Sequence, residues 1–247
     1  MNKKYHTIWI SDVHLGTLEC KASSLIDFLK QNHTDTLYLV GDIIDCWQLK
    51  KAFYWPQTHN DVIQHLLMLS RNGTKVIYVV GNHDSFLRDY LQVSFDLGGI
   101  TFCEETEYVS LSNKRFLILH GDLFDEVTKH PQWIICLGDW AYTLLLLLNT
   151  VFNKIRRLLG LHYWSLSTAI KKMAKNATTF IHEFESALVH ECRKRNFDGV
   201  VCGHIHHAEL KNLDEVLYCN VGDWVESCTA LVEHYDGNLE IIKWANH

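Results

Sequence analysis

Asp12, His14, Asp42, Asn82, His120, His204 and His206 each come just after a short apolar run. Thr7-Ile8-Trp9-Ile10 precedes Asp12, Leu37-Tyr38-Leu39-Val40 precedes Asp42, and Val76-Ile77-Tyr78-Val79-Val80 precedes Asn82. Phe116-Leu117-Ile118-Leu119 precedes His120, and Val200-Val201-Cys202 precedes His204. Carboxylate and amide oxygens mixed with imidazoles, with no thiolate among them, suit Mn, Fe or Zn. Two cations held by such a set lower the pKa of bound water and neutralise phosphoryl oxygens as charge moves to the leaving group. Hydrolysis of that kind needs no nucleophile from the protein. Each fragment alone is ordinary, since Asp and Asn cap turns and helices. Five of them in order, each at the end of a β-like run, read together as a two-metal site.

The spacing within the fragments adds detail. On a strand end, residues i and i+2 point the same way, so Asp12 and His14 can serve one ion. Asp42 sits in Gly41-Asp42-Ile43-Ile44-Asp45, where its two oxygens could bridge two cations and Gly41 permits a tight turn. His83 follows Asn82 directly, and His204-Ile205-His206 follows Gly203.

The elements that must position these groups alternate. A helix near 22–32 carries Leu25, Phe28 and Leu29 at helical spacing, and a second near 60–71 carries Val62, Ile63, Leu66, Leu67 and Leu69. This is a βαβαβ pattern with a mainly parallel sheet, in which ligand groups collect at the carboxyl ends of the strands. After Gly98-Gly99 the strands follow one another without helices, and the last forty residues read as hairpins with a turn at Asp236-Gly237. The fold class expected is α/β, two stacked mixed β-sheets flanked by helices.

Between His120 and His204 lies a helical insertion, at about 131–196. Leu166, Ile170, Met173, Ala177, Phe180 or Ile181, Phe184 and Leu188 form one apolar stripe, opposite Lys171, Lys172 and Lys175. Residues 133–152 are nearly all apolar but interrupted by Asp139, which fits a buried helix of a two-helix cap better than a membrane span. With Lys154, Arg156 and Arg157 just beyond, the cap could also present a surface to anionic headgroups. Trp47, Phe53, Tyr54 and Trp55 follow the Asp42 loop, and Trp47 could stack on a substrate base.

Composition narrows the class. The 247 residues show no linker, repeat or low-complexity tract, so a single domain over 1–247 with the insertion is expected. A net charge of -6 and a pI near 6.2 weigh against nucleic acid as the main partner. Eight cysteines without a Cys-x-x-Cys pair, and an amino terminus without an apolar signal region, point to reduced thiols in the cytoplasm.

In order, Asp-x-His, Gly-Asp-x-x-Asp, Gly-Asn-His-Asp, a later His and Gly-His-x-His span residues 12 to 206. That series resembles the calcineurin-like metallophosphoesterases and implies their αββα sandwich. The resemblance implies one ion on Asp12, His14, Asp42 and His206, and a second on Asp42, Asn82, His120 and His204. It implies Mn²⁺, with Fe or Zn as alternatives. It also implies that His83 gives a proton to the leaving oxygen and that Asp45 holds its other nitrogen. Over nearly the whole chain the pattern is similar to the UDP-2,3-diacylglucosamine hydrolases, pyrophosphatases of lipid A biosynthesis. They have a comparable cap and a hairpin-rich end including Gly222-Asp223-Trp224. This implies a lipid-linked nucleotide substrate cleaved to release UMP, substrate contacts at Lys171, Lys172, Lys175 and Asn176, and peripheral attachment to the inner face of the cytoplasmic membrane. The chain departs from the best characterised members by having His83 where they have Arg, and Asp45 where they have Glu. Another phosphodiester or phosphomonoester, or some other phosphorylated small molecule, is the alternative substrate. A non-catalytic metal-binding module is a third reading, against which stand the full ligand set and His83.

Overall fold

Unbroken runs of large apolar side chains along the first three strands bury both of their faces, and this organises the molecule. The computed structural model describes residues 3–91, 94–125 and 167–244. Its elements are β1 (Lys3–Ile10), α1 (Ala22–Gln31), β2 (Asn32–Val40), α2 (Cys46–Lys51), α3 (Gln57–Arg71), β3 (Lys75–Val79), β4 (Ser94–Leu97) and β5 (Ile100–Cys103). They continue with β6 (Glu105–Val109), β7 (Arg115–Leu119), α4 (Ser167–Lys194), β8 (Gly199–Cys202), β9 (Glu209–Leu213), β10 (Val216–Asn220), β11 (Thr229–Glu233) and β12 (Leu239–Lys243). Short 3-10 helices cover Ser85–Tyr90 and Asp122–Phe124.

One sheet has the order β12-β11-β1-β2-β3-β5-β4 and the other β6-β7-β8-β10-β9. In the first, β1, β2, β3 and β5 are parallel, with antiparallel strands at both ends. In the second, β7, β8 and β10 are parallel, between antiparallel β6 and β9. Both sheets are therefore mixed, as expected.

Ile8, Ile10, Leu37, Leu39, Val76 and Tyr78 face α1 and α3, where Leu25, Phe28, Val62 and Leu66 meet them. Their neighbours Trp9, Tyr38, Val40, Ile77 and Val79 face the second sheet and pack with Phe116, Ile118, Val201 and Cys219. Trp9 and Tyr38 stack at 5.7 Å in that layer. Removing a large aromatic such as Trp9 would cost about 3–5 kcal/mol.

Two boundaries differ from expectation. Helix α3 begins at Gln57 rather than near Asn60, because Pro56 at its N-cap ends backward extension and the polar first turn carries no apolar period. Strand β2 begins at Asn32, directly after α1, whose end is closed by Asn32 Nδ2 donating to the Phe28 carbonyl at 2.7 Å.

The chain divides into two compact units, Met1–Asp122 with Leu188–His247, and Leu123–Ala187. Within the second, Phe180 and Phe184 are buried and their rings lie 6.3 Å apart. No helix among the described residues is long and apolar enough to cross a membrane. The apolar segment 133–152 and the cations Lys154, Arg156 and Arg157 lie outside the described residues. The seven described cysteines are free thiols.

Candidate metal centre

All five ligand-bearing segments leave their strands at carboxyl ends: those of β1, β2 and β3 in one sheet, and of β7 and β8 in the other. Their loops are laced together by backbone bonds. Asp12 N donates to the Gly41 carbonyl at 3.1 Å, and Val13 N and His14 N both donate to the Asp42 carbonyl, at 3.0 and 2.9 Å. Gly203 N donates to the His120 carbonyl at 3.0 Å. Asp12 and His14 lie beyond the end of β1, so pleat alternation does not align them. Both have left-handed backbone with φ 52°, as do Asp42 (54°), His204 (73°) and His206 (52°). Left-handed conformation costs a non-glycine residue roughly 1–2 kcal/mol, and persists where surrounding contacts over-determine it.

Two glycines owe their identity to this crowding. A Cβ on Gly203 would overlap Ser11 Oγ and Asp12 Oδ2. One on Gly41, itself at φ +80°, would overlap the His120 ring.

The donor atoms converge in groups. Asp12, His14 and His206 form one and Asp42, His120 and His204 another, while His14, Asp42 and His83 form a third that joins them. Asp12 Oδ2 accepts from His204 N at 2.9 Å and from the Ser11 hydroxyl, leaving Oδ1 buried, without a hydrogen bond, 3.2 Å from His206 Nε2. Asp42 Oδ1 accepts from His83 N at 2.8 Å. Its Oδ2 faces His120 Nε2 at 3.2 Å, His83 Nε2 at 3.9 Å and His14 Nε2 at 4.0 Å. His120 Nδ1 is held by the Val40 carbonyl at 2.9 Å and His14 Nδ1 by Asp45 Oδ2 at 3.2 Å, which aims both Nε2 atoms inward. Asn82 Oδ1 is buried and accepts no hydrogen bond.

Charge tells the same story. Burial opposes ionisation of Asp42, yet His120 and His14 hold its carboxyl down to about 2; burial likewise opposes ionisation of Asp12, and His206 holds its carboxyl well below the usual carboxylate range. Burial would lower His206, but Asp12 pushes it up to about 9; Asp42 likewise holds His120 well above the usual range. The cluster thus demands positive charge, and in the metal-free chain protons on His206 and His120 supply it. Buried orphan oxygens, convergent imidazole nitrogens and that demand fit divalent cations.

His83 and Asp45 meet beside this cluster. Asp45 Oδ2 is 2.9 Å from His83 Nδ1, an ion pair that lies off the N–H axis, while Asp45 Oδ1 caps α2 by accepting from Gln48 N at 2.7 Å. Burial lowers the affinity of His83 for its proton, but Asp45 and Asp42 outweigh burial and raise its pKa. Trp47, expected beside a substrate base, lies with its ring against His83 at 4.4 Å. Lys171, Lys172, Lys175 and Asn176 fall on the α4 backbone, and their side chains lie outside the described residues.

Several supporting residues escaped the sequence reading. Asp84 is buried and accepts from Tyr78 Oη, Gly81 N and Ile43 N at 2.5, 2.6 and 3.0 Å, tying the loops after β2 and β3. Burial and the nearby Asp42 push its carboxyl up to about 6. Arg88 forks onto Asp122 at 2.8 and 2.9 Å and onto the Val80 carbonyl, joining the loops after β3 and β7. Trp224 N donates to the Asp12 carbonyl at 3.0 Å. Asp84 and Trp224 stood inside fragments already noted; Arg88 had no local signal.

The model of the family described as calcineurin-like phosphoesterase matches residues 5–208. A UDP-2,3-diacylglucosamine hydrolase of Proteus mirabilis is 24% identical over 222 residues, covering 84% of this chain and 85% of that protein. One of Chromohalobacter salexigens is 29% identical over 140 residues, covering 51% of this chain and 55% of its own length. Among solved structures, an archaeal phosphodiesterase is similar with TM-score 0.46 and 14% identity over 96% of this chain and 98% of that one. The E. coli phosphoesterase Yfce has TM-score 0.44 and 14% identity over 97% and 99%.

Proposed function

This chain belongs to the calcineurin-like phosphoesterase family, and from that premise we propose that it hydrolyses the diphosphate of UDP-2,3-diacylglucosamine and releases UMP. It is a metal-dependent phosphoester hydrolase. The observation that carries the site is Asp42 Oδ2, faced by nitrogens from both imidazole groups. Asp12, His14, Asp42 and His206 would hold one divalent ion, and Asp42, Asn82, His120 and His204 the other, Mn²⁺ being the ion favoured and Fe or Zn compatible. When bound, such ions supply the charge that neutralises phosphoryl oxygens and acidifies water. His83 Nε2 turns toward the centre, and the raised pKa keeps its proton available for the departing oxygen. Asp45 stabilises that imidazolium and orients His14 with the same oxygen.

The substrate rests on the named relatives, of which that of Proteus mirabilis covers 84% of this chain. A lipid-linked substrate would bring the protein to the inner face of the cytoplasmic membrane; the insertion we propose at about 131–196 overlaps the unit Leu123–Ala187, its last residues falling in the other unit. His83 favours a second reading, a different phosphodiester, because an imidazole protonates a leaving group and an arginine does not.

The test is Mn²⁺-dependent release of UMP from UDP-2,3-diacylglucosamine, with bis(4-nitrophenyl) phosphate in parallel. UMP release lost in His83→Ala supports the first reading. Diester hydrolysis without UMP release discards that substrate and keeps the site.

A further inference from the structure

Three consecutive residues after Asp42 grip one histidine, two of them at its ring. Asp45 Oδ2 lies 2.9 Å from His83 Nδ1, Cys46 N donates to the His83 carbonyl at 3.1 Å, and the Trp47 indole lies against the ring. The indole and imidazole centroids are 4.4 Å apart with planes 32° apart, and the His14 ring meets the same imidazole edge-on at 4.6 Å. Trp47 is 45% exposed and belongs to neither core layer, so this contact is not a by-product of core packing. The rotation of a histidine ring about its last bond is broad and two-fold. A carboxylate off the N–H axis does not fix that rotation; an indole 4.4 Å away and tilted by 32° restricts it.

We infer that Trp47 is a positioning residue, whose indole sets the plane of the His83 imidazole so that Nε2 faces the leaving oxygen. The inference rests on His83 as the proton donor proposed above. It separates from the other use of an exposed tryptophan, stacking on a substrate base, because base stacking acts on binding and ring positioning acts on turnover.

The full chain, loaded with Mn²⁺, is assayed on a phenyl phosphodiester, whose poor leaving group needs a proton, as Trp47→Ala, Trp47→Phe, His83→Ala and the Trp47→Ala/His83→Ala double variant. Trp47→Ala should lower kcat about ten-fold, part of the 10²- to 10⁴-fold that a placed acid contributes, with KM little changed. Trp47→Phe should restore most of the loss, and the double variant should be no slower than His83→Ala. A raised KM with kcat held, or losses that multiply in the double variant, overturns the inference. A readout independent of turnover uses the Zn²⁺-loaded protein. The His83 Cε1–H resonance, assigned by its absence in His83→Ala, should move downfield in Trp47→Ala as the indole ring current is lost. An unmoved resonance overturns the inference. If the wild-type chain hydrolyses no phosphoester at all, the proposed function fails and this resonance alone decides the role of Trp47.

Discussion

Metal affinity at this centre should climb steeply through the pH range where an ordinary imidazole site has already levelled off. In the metal-free chain, burial opposes the His206 proton, but Asp12 at 3.2 Å pushes its pKa from 6.5 to about 9. That proton sits where a cation would, and must leave before His206 can act as a ligand. Between pH 6.5 and 8.5, each unit should strengthen binding roughly ten-fold for this one displaced proton, about 100-fold over the interval. His120, held well above the usual range by Asp42, steepens the rise. Asp12 and Asp42, held low, stay ionised throughout and add nothing to it. The assay is calorimetric titration of chelator-stripped protein with Zn²⁺ at half-unit pH steps, repeated in two buffers of different ionisation enthalpy to count protons released. Affinity that is flat above pH 7, or binding at pH 7.5 without proton release, refutes the reasoning.

Other outcomes follow from the same geometry. The sign for stability is opposite: a raised pKa stabilises fully below 6.5 and the benefit is lost as pH rises through about 9, so the metal-free protein should melt lower at pH 9.5 than at pH 6. Asp42→Ala should empty both metal positions and His206→Ala one of them, read as ions per chain by elemental analysis; two ions retained without Asp42 would rule out its shared role. Gly203→Ala forces a Cβ into Ser11 and Asp12, and should cost about 1–3 kcal/mol in urea unfolding along with metal affinity. Arg88→Met leaves the Asp122 carboxylate, 8% exposed, without its fork and should cost about 3 kcal/mol, whereas an unchanged melting curve would show the pair to be dispensable. His83→Ala should lower turnover by roughly 10²- to 10⁴-fold with both ions kept.

How much of this could be seen in the chain depends on whether the cause is local. Unbroken apolar runs ending at 10, 40 and 79 reflect burial on both faces, so the central strands and the ligand endings were legible from residue type alone. The left-handed backbone of Asp12 and His14 was not, because it is imposed by hydrogen bonds to Gly41 and Asp42 on another strand. Left-handed turns, rather than pleat alternation, therefore bring the two side chains together. Asn32 also misled: it reads as a helix end, and it is, but it begins a nine-residue strand at once. Arg88 meets Asp122 across 34 positions, a separation that carries no periodic signal.

One pairing has a bearing on how the protein is made. Strand β1, the first in the chain, is not at the sheet edge but between β2 and β11, with Thr7, Ile8 and Trp9 opposite Glu233, Val232 and Leu231. During synthesis its second edge, lined by fully buried Ile8 and Trp9, stays open until residue 233 has emerged. His206 is likewise translated late, so neither the sheet nor the metal centre can close on a nascent amino-terminal half. A chain stopped at residue 208, where the family match ends, would hold every expected ligand and still lack the strand that seals β1. Such a fragment would leave that edge unpaired and open to another chain, and the late strand Thr229–Glu233 is the latch that closes it.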